Sequence, residues 1–434
     1  VLTTERRLAA RLRPATGDDA IIGVEHEYRV VLDGEAIDFR SLIGQLDLRP
    51  VGCDPSDPNA RHLTNGVMVT ADGREAEVVT PPIAIEPGCS WHASRWTSLG
   101  HTTLCSSLGA GAQLQGYSTH INVSVDADPM RVAWLYARHF GLPSMLLIDQ
   151  PESPGLLVRP RPRRLEVGGE FAVGQQLRAA LVFALAAGAA CAEATWARST
   201  AKLPAALDGD FAAAVERPGW YIDRRAFDAD LYRQGRDTIV RVDGVPARAG
   251  DVLARAWERV RDHACQLVGP DEVALVDDIV DERQPIPLES TSRFEDLDLL
   301  EVDSPFAQLH ERVHGGVHVR PVALTWSSVA FEVERGGHEG YVVIPRSWLR
   351  EFLAKLDDDA LDDLLPAVCG GREHRRCARR SSAPAVYGKR PDDGMLVPPE
   401  PRTVRRWRRW WPEALCLAIG LCAGLLLHEV GWWR

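Results

Sequence analysis

Ile21-Ile22-Gly23-Val24-Glu25-His26-Glu27-Tyr28-Arg29-Val30 reads as a β-strand. Its β-branched and aromatic residues favour extended backbone, and a strand sends alternate side chains to opposite faces. Glu25 and Glu27 therefore share one face, while Val24, His26 and Tyr28 share the other. Neighbouring carboxylates repel, so their face needs a cation, a proton or water. A plain wet sheet face meets that need too. The pattern gains meaning because it recurs downstream.

A turn at Asp33-Gly34 follows the strand. A second hairpin joins Val67–Thr70 to Glu75–Thr80 around Asp72-Gly73, and Pro81-Pro82 ends it. Glu75 and Glu77 share a face of that hairpin. Tyr117–Val125 is another strand, with His120, Asn122 and Ser124 on one face and Ile121, Val123 and Val125 on the other. A short strand, Leu165-Glu166-Val167, carries Glu166. A half-buried antiparallel sheet explains the alternation but does not require the polar residues to be Glu and His. Carboxylates with an occasional imidazole suit hard cations such as magnesium. Acids converging on one face would hold such ions and neutralise a nucleoside triphosphate. The chain has neither a Walker A nor a Rossmann signature, so a nucleotide would not sit in those cradles.

Helices are predicted over 88–110, 129–148, 171–196, 201–216, 247–267 and 347–368, the Ala/Leu-rich 171–196 being apolar enough to lie buried on a sheet. A second strand-bearing stretch spans 317–345. Residues 49–66, 276–303 and 380–402 read as loop or turn. The proline-rich 151–164 segment reads as irregular, either a closing loop or a rigid connector. A 434-residue chain supports a substantial core. Its expected divisions are a catalytic domain over 1–345, a helical and loop extension over 346–401, and a basic, Trp-rich segment with an apolar tail over 402–434.

The formal charge of −11 argues against nucleic acid as the main partner. It leaves ATP open, because magnesium and a few arginines handle that charge locally. Nine cysteines and an opening stretch with four arginines and no apolar core predict reduced thiols and a cytoplasmic location. Cys369, His374 and Cys377 fit no standard zinc spacing. At the C-terminus, Ala414–Leu427 gives 14 apolar residues flanked by Trp and Arg. That run is shorter than the ~20 residues that cross a bilayer, yet its flanks resemble interfacial anchors. A buried helix, a membrane contact and a contact with another subunit all remain open. His310, Glu311, His314 and His318 lack the His-Glu-x-x-His order of metalloproteases, and a structural or solvent-facing role is expected. Trp326, Phe331 and Trp348 are expected in a core or an interface.

Taken in order, Gly23-Val24-Glu25-His26-Glu27-Tyr28, Asp72-Gly73-Arg74-Glu75-Ala76-Glu77 through Thr80-Pro81-Pro82, and Ser118-Thr119-His120-Ile121-Asn122-Val123 form a set. With Leu165-Glu166-Val167-Gly168 leading into a long helix, the set resembles the carboxylate–amine ligase family related to bacterial and plant glutamate–cysteine ligases. The likeness covers about residues 20–200. It implies an α+β, glutamine synthetase-like antiparallel sheet with helices packed on one face. It implies ATP and Mg2+ as cofactors, and joining of an amino-acid carboxylate, such as that of glutamate, to an amine through an acyl phosphate. Metal ligands would be Glu25, Glu27, Glu75, Glu77, His120 and Glu166. Catalytic roles fall to Glu27, Glu77 and Arg74, and nucleotide contacts to His120, Asn122 and Arg164. Where the family has a second histidine this chain has Asn122, and where it has an arginine two residues after the last glutamate this chain has Gly168. Arg161, Arg163, Arg164 or Arg74 would have to fill that space. An amide hydrolase on the same scaffold and a non-catalytic relative are the rival readings, and homo-oligomerisation is open.

Overall fold

The computed structural model describes residues 20–46, 48, 59–63, 66–151, 153–208, 212–213, 220–287, 294, 312–314, 317–335 and 338–357. Outside them lie the N-terminal lead-in, most of the 49–66 loop, the end of the 347–368 helix, Cys369, His374 and Cys377, the 380–402 loop and the 402–434 tail. His310 and Glu311 are outside as well.

The strands are β1 (Ile21–Leu32), β2 (Glu35–Ile37), β3 (Arg61–His62), β4 (Met68–Asp72), β5 (Glu75–Val79), β6 (Ile83–Ala84), β7 (Ala112–Ser124), β8 (Gly155–Arg161), β9 (Arg164–Glu170), β10 (Ala212–Ala213), β11 (Trp220–Asp223), β12 (Ile239–Val242), β13 (Val245–Arg248), β14 (Arg312–His314), β15 (Val317–Leu324), β16 (Ser328–Arg335) and β17 (His338–Pro345). The α-helices are α1 (Cys89–Leu108), α2 (Pro129–Ile148), α3 (Gly174–Trp196), α4 (Leu231–Gln234), α5 (Ala249–Leu267), α6 (Pro270–Val280) and α7 (Leu349–Asp357).

The main sheet is antiparallel, ordered β10-β11-β8-β9-β7-β1-β5-β4-β3, with β2 and β6 also pairing with β1. The four acid-bearing strands read from sequence are thus contiguous in the order β5-β1-β7-β9. The alternation holds: Val24, Ile121, Val123, Leu165 and Val167 are buried beneath the helices. Helix α3 lies directly on this face, with Gly188 against Val123 and Leu165. It alone among the described helices is long and apolar enough to cross a membrane, but 83% of its apolar window is buried within the fold. Helix α5 buries Val252, Leu253, Ala256, Trp257 and Val260 on one stripe, the helical period of a covering layer. The result is a mixed α+β fold with a large antiparallel sheet and helices packed against it.

Several sequence expectations change. The 151–164 segment is no irregular connector: residues 155–161 form β8, paired with β9 and β11. Pro160 is tolerated because pairing with β11 stops at Val158, so its missing N–H leaves no gap in that ladder. A closing loop there is excluded for the same reason. Residues 201–208 are turns, not helix. Pro204 disfavours helical backbone at Leu203, its carbonyl lies 2.7 Å from His139 Nδ1, and Leu207 bridges to Val242. The acidic 276–303 stretch begins inside helix α6, where Pro270 opens the helix and Asp271 and Glu272 occupy its first turn. The second hairpin turns at Gly73-Arg74, one residue later than expected, because Asp72 pairs with Glu75.

A separate four-stranded sheet, β14-β15-β16-β17, carries its own core, in which Phe331 and Phe352 of α7 meet with ring centroids 4.8 Å apart. Phe331 is a core residue as expected, but Trp348 is 48% exposed. His318 pairs with Val313 on β15. The four cysteines among the described residues, Cys89, Cys105, Cys191 and Cys265, are free thiols.

Candidate functional site

Register decides which polar side chains meet on the face away from the helices. Glu25 pairs with His120, Glu27 with both Glu77 and Ser118, His120 with Gly168, and Asn122 with Glu166. His120 Nδ1 lies 3.5 Å from Glu25 Oε2 and 3.6 Å from Glu166 Oε1. Asn122 Nδ2 donates to Glu25 Oε1 (3.0 Å), and Ser118 Oγ donates to Glu27 Oε2 (2.6 Å). From β8, Arg159 Nη1 donates to Glu166 Oε1 (2.8 Å) and Arg161 Nε to Glu166 Oε2 (2.6 Å). Glu166 is almost wholly buried, and this double clamp gives each of its oxygens a charge-assisted hydrogen bond.

Glycine at position 168 has a steric cause. A Cβ on Gly168 would lie 2.8 Å from His120 Cδ2, so a side chain there would displace the histidine. Positive charge comes instead from the next strand, through Arg161 and through Arg159. Arg159 is hidden in the sequence because the prolines around it give its strand the composition of a connector. Alternation along 157, 159 and 161 would have placed both arginines on the face of Glu166. Arg164 also reaches this face and stacks on Trp326. Arg163 occupies the hairpin turn with φ 59°.

Arg74 and Glu75 are not brought into the cluster. Arg74 sits on the exposed turn, its Nε 4.0 Å from Asp38 Oδ2, and Glu75 Oε2 accepts from the Arg74 backbone N–H (3.0 Å).

Charge divides the site into two halves. Burial pushes the Glu25 carboxyl up, but the hydrogen bond and charge of His120, with Arg164 and Arg161, hold it below its ordinary value. Burial works against a charged His120 as well. The hydrogen bond to Glu25 and the charges of Glu27, Glu25 and Glu166 outweigh it and raise the imidazole to about 9. Burial raises the Glu27 carboxyl. Glu77 makes no hydrogen bond or ion pair among the described residues. Burial, then repulsion from Glu25, Asp72 and Glu27, pushes it to about 9. The β1/β5 half is thus short of positive charge, while the β8/β9 half holds three arginines around one carboxylate.

The residues that could hold a hard divalent cation straddle the two halves. Ligand atoms of Glu25, His120 and Glu166 lie within 4.8 Å of one another. Buried Asn122 Oδ1 has no hydrogen-bond partner, and Glu77 takes a proton where a metal would serve. Both oxygens of Glu166 are already bonded to arginine, and the register sets Glu27 and Glu77 beside Glu25 on the same face.

No protein-family model matches this chain, and no curated protein matches it in sequence.

Proposed function

We propose that this protein is an ATP- and magnesium-dependent ligase that joins an amino-acid carboxylate to an amine, on a catalytic sheet of the glutamine synthetase type. The supporting observation is the register that gathers Glu25, Glu27, Glu77, His120, Asn122 and Glu166 on one face of four contiguous strands, with arginines beside them.

The two halves of this face suit the two charges such a reaction must manage. Glu25, Glu27 and Glu77 would hold magnesium, which when bound offsets the charge of the triphosphate. Arg161 and Arg164, with protonated His120, would face the phosphoryl oxygens and the substrate carboxylate. Transfer of the γ-phosphoryl to that carboxylate releases ADP and leaves an acyl phosphate. The amine then attacks the acyl carbon, phosphate leaves with the bonding pair, and the amine gives up a proton. No covalent enzyme intermediate is needed, because positioning and electrostatic stabilisation carry the rate. Asn122, bonded to Glu25, and Ser118, bonded to Glu27, keep the carboxylates aligned.

The test is ADP release by the full chain with magnesium, across pools of amino acids and amines. ADP formed only when carboxylate and amine are both present supports the ligase. Amide cleavage without ADP would replace it with the hydrolase. Glu25→Ala is expected to lower turnover at least about a hundredfold while the chain stays folded, since one crowded acid is removed. Unchanged turnover in that variant would refute the assignment.

A further inference from the structure

Arg159 and Arg161 each spend donors on Glu166. Arg164 does not: among the described residues its side chain makes no hydrogen bond or ion pair. Its guanidinium lies instead 5.0 Å from the centroid of the Trp326 ring. Arg164 stands two residues before Glu166 and opposite Ser124, so it shares the acid-bearing face of the sheet at the end remote from Glu77. Trp326 covers the same face, since its ring would lie 3.6 Å from a Cβ built on Gly23, two residues before Glu25.

Trp326 is held in place by its turn. Thr325 N donates to Ser328 O (2.9 Å), Ser328 N to Thr325 Oγ1 (3.1 Å), Arg346 Nη1 to Trp326 O (3.2 Å) and Arg346 N to Ser327 O (2.9 Å). A guanidinium lying on an indole face keeps the N–H groups at its edge available, and that fork matches the two oxygens of a planar or tetrahedral oxyanion. None of the Arg164 nitrogens is both buried and unpartnered, so its donors face solvent, where a ligand can take them.

We propose that Arg164, backed by Trp326, is an oxyanion subsite at one end of the acid-bearing face, and that it takes a carboxylate or phosphoryl group of the substrate in a bidentate grip. The β15–β16 turn thereby completes a site whose other groups all come from β1, β5, β7, β8 and β9. The subsite rests on the ligase reading only for which substrate bears the oxyanion.

Titration calorimetry on the full chain with two probes, L-glutamate and magnesium ATP, decides it. Arg164→Lys keeps the charge but loses the fork. Trp326→Leu removes the ring, and Trp326→Phe keeps an aromatic face. Arg164→Lys and Trp326→Leu are expected to weaken the same probe about tenfold or more, Trp326→Phe no more than about threefold, with the other probe within about twofold. A loss confined to glutamate assigns the carboxylate, and one confined to ATP assigns the phosphate. Binding of neither probe by the wild type at millimolar concentration overturns the subsite. So do unchanged affinities in Arg164→Lys, equal losses for both probes, or equal effects of the two Trp326 variants. Arg164-dependent binding with no ADP formed from any substrate pair would keep the subsite and remove the ligase.

Discussion

Glu25 and His26 are neighbours that look in opposite directions, and their protonation reflects it. Glu25 is kept ionised by an imidazolium and two arginines. His26 is fully buried under the helices, with Phe171 4.8 Å away ring to ring and the Tyr28 hydroxyl 3.3 Å from Nδ1. Burial holds its pKa at about 3, where an unhindered imidazole has 6.5. The unfolded chain therefore takes up a proton that the folded chain refuses. Stability from the neutral ring is complete above pH 6.5 and drains as pH falls toward 3, by about 1.4 kcal/mol per unit and about 2 kcal/mol by pH 5. Other groups titrate in the same window, so the informative quantity is a difference. In urea unfolding at pH 6.5 and pH 5, wild type should lose about 2 kcal/mol more than His26→Leu. Equal losses would mean that His26 is charged inside the fold.

Among the elements, the N-termini of α1 and α6 meet on one side chain. The carboxylate of Glu272, itself buried, accepts from the backbone N–H groups of Gly88, Ser90 and Gly269 and from Ser90 Oγ. Each donor would otherwise be a buried orphan at a helix start. Glu272→Ala is expected to cost about 3 kcal/mol or more in thermal or urea unfolding, and Glu272→Gln rather less. A loss under about 1 kcal/mol would show that water replaces the carboxylate. Neither this joint nor α6 could be read from sequence, because Glu272 lies in a run of acids whose turn composition hid the Val273, Val276, Ile279 stripe. Strands β1, β5, β7 and β9 were legible, since their apolar residues alternate against a packed layer. So was α2, found at the predicted 129–148. Strand β8 was not, because Pro160 and Pro162 mimic a connector. Losing β8 hid Arg159. The Trp326 contact with β1 was out of reach for another reason: it pairs residues some three hundred positions apart, and no local pattern encodes it.

Across the whole molecule, the acid-bearing face lies on the central strands, so an ion bound there would couple to global unfolding. Glu25, Glu27 and Glu77 sit side by side on β1 and β5, and without a metal the strain is relieved by a proton on Glu77 and by protonated His120. A divalent cation seated between these carboxylates would bind the folded sheet and not the dispersed acids of the unfolded chain. At about a hundred times its dissociation constant it adds about 2.7 kcal/mol, enough to raise the melting midpoint by several degrees. Magnesium should therefore raise the midpoint of the full chain, while sodium chloride at matched ionic strength should not, because it only screens. Glu25→Ala should abolish the shift, and Arg74→Ala should keep it, since Arg74 stands on an exposed turn beside Asp38. A shift that survives in Glu25→Ala, or that sodium reproduces, would place the ion elsewhere on a chain of net charge −11 and leave the acids on β1 and β5 without a binding role.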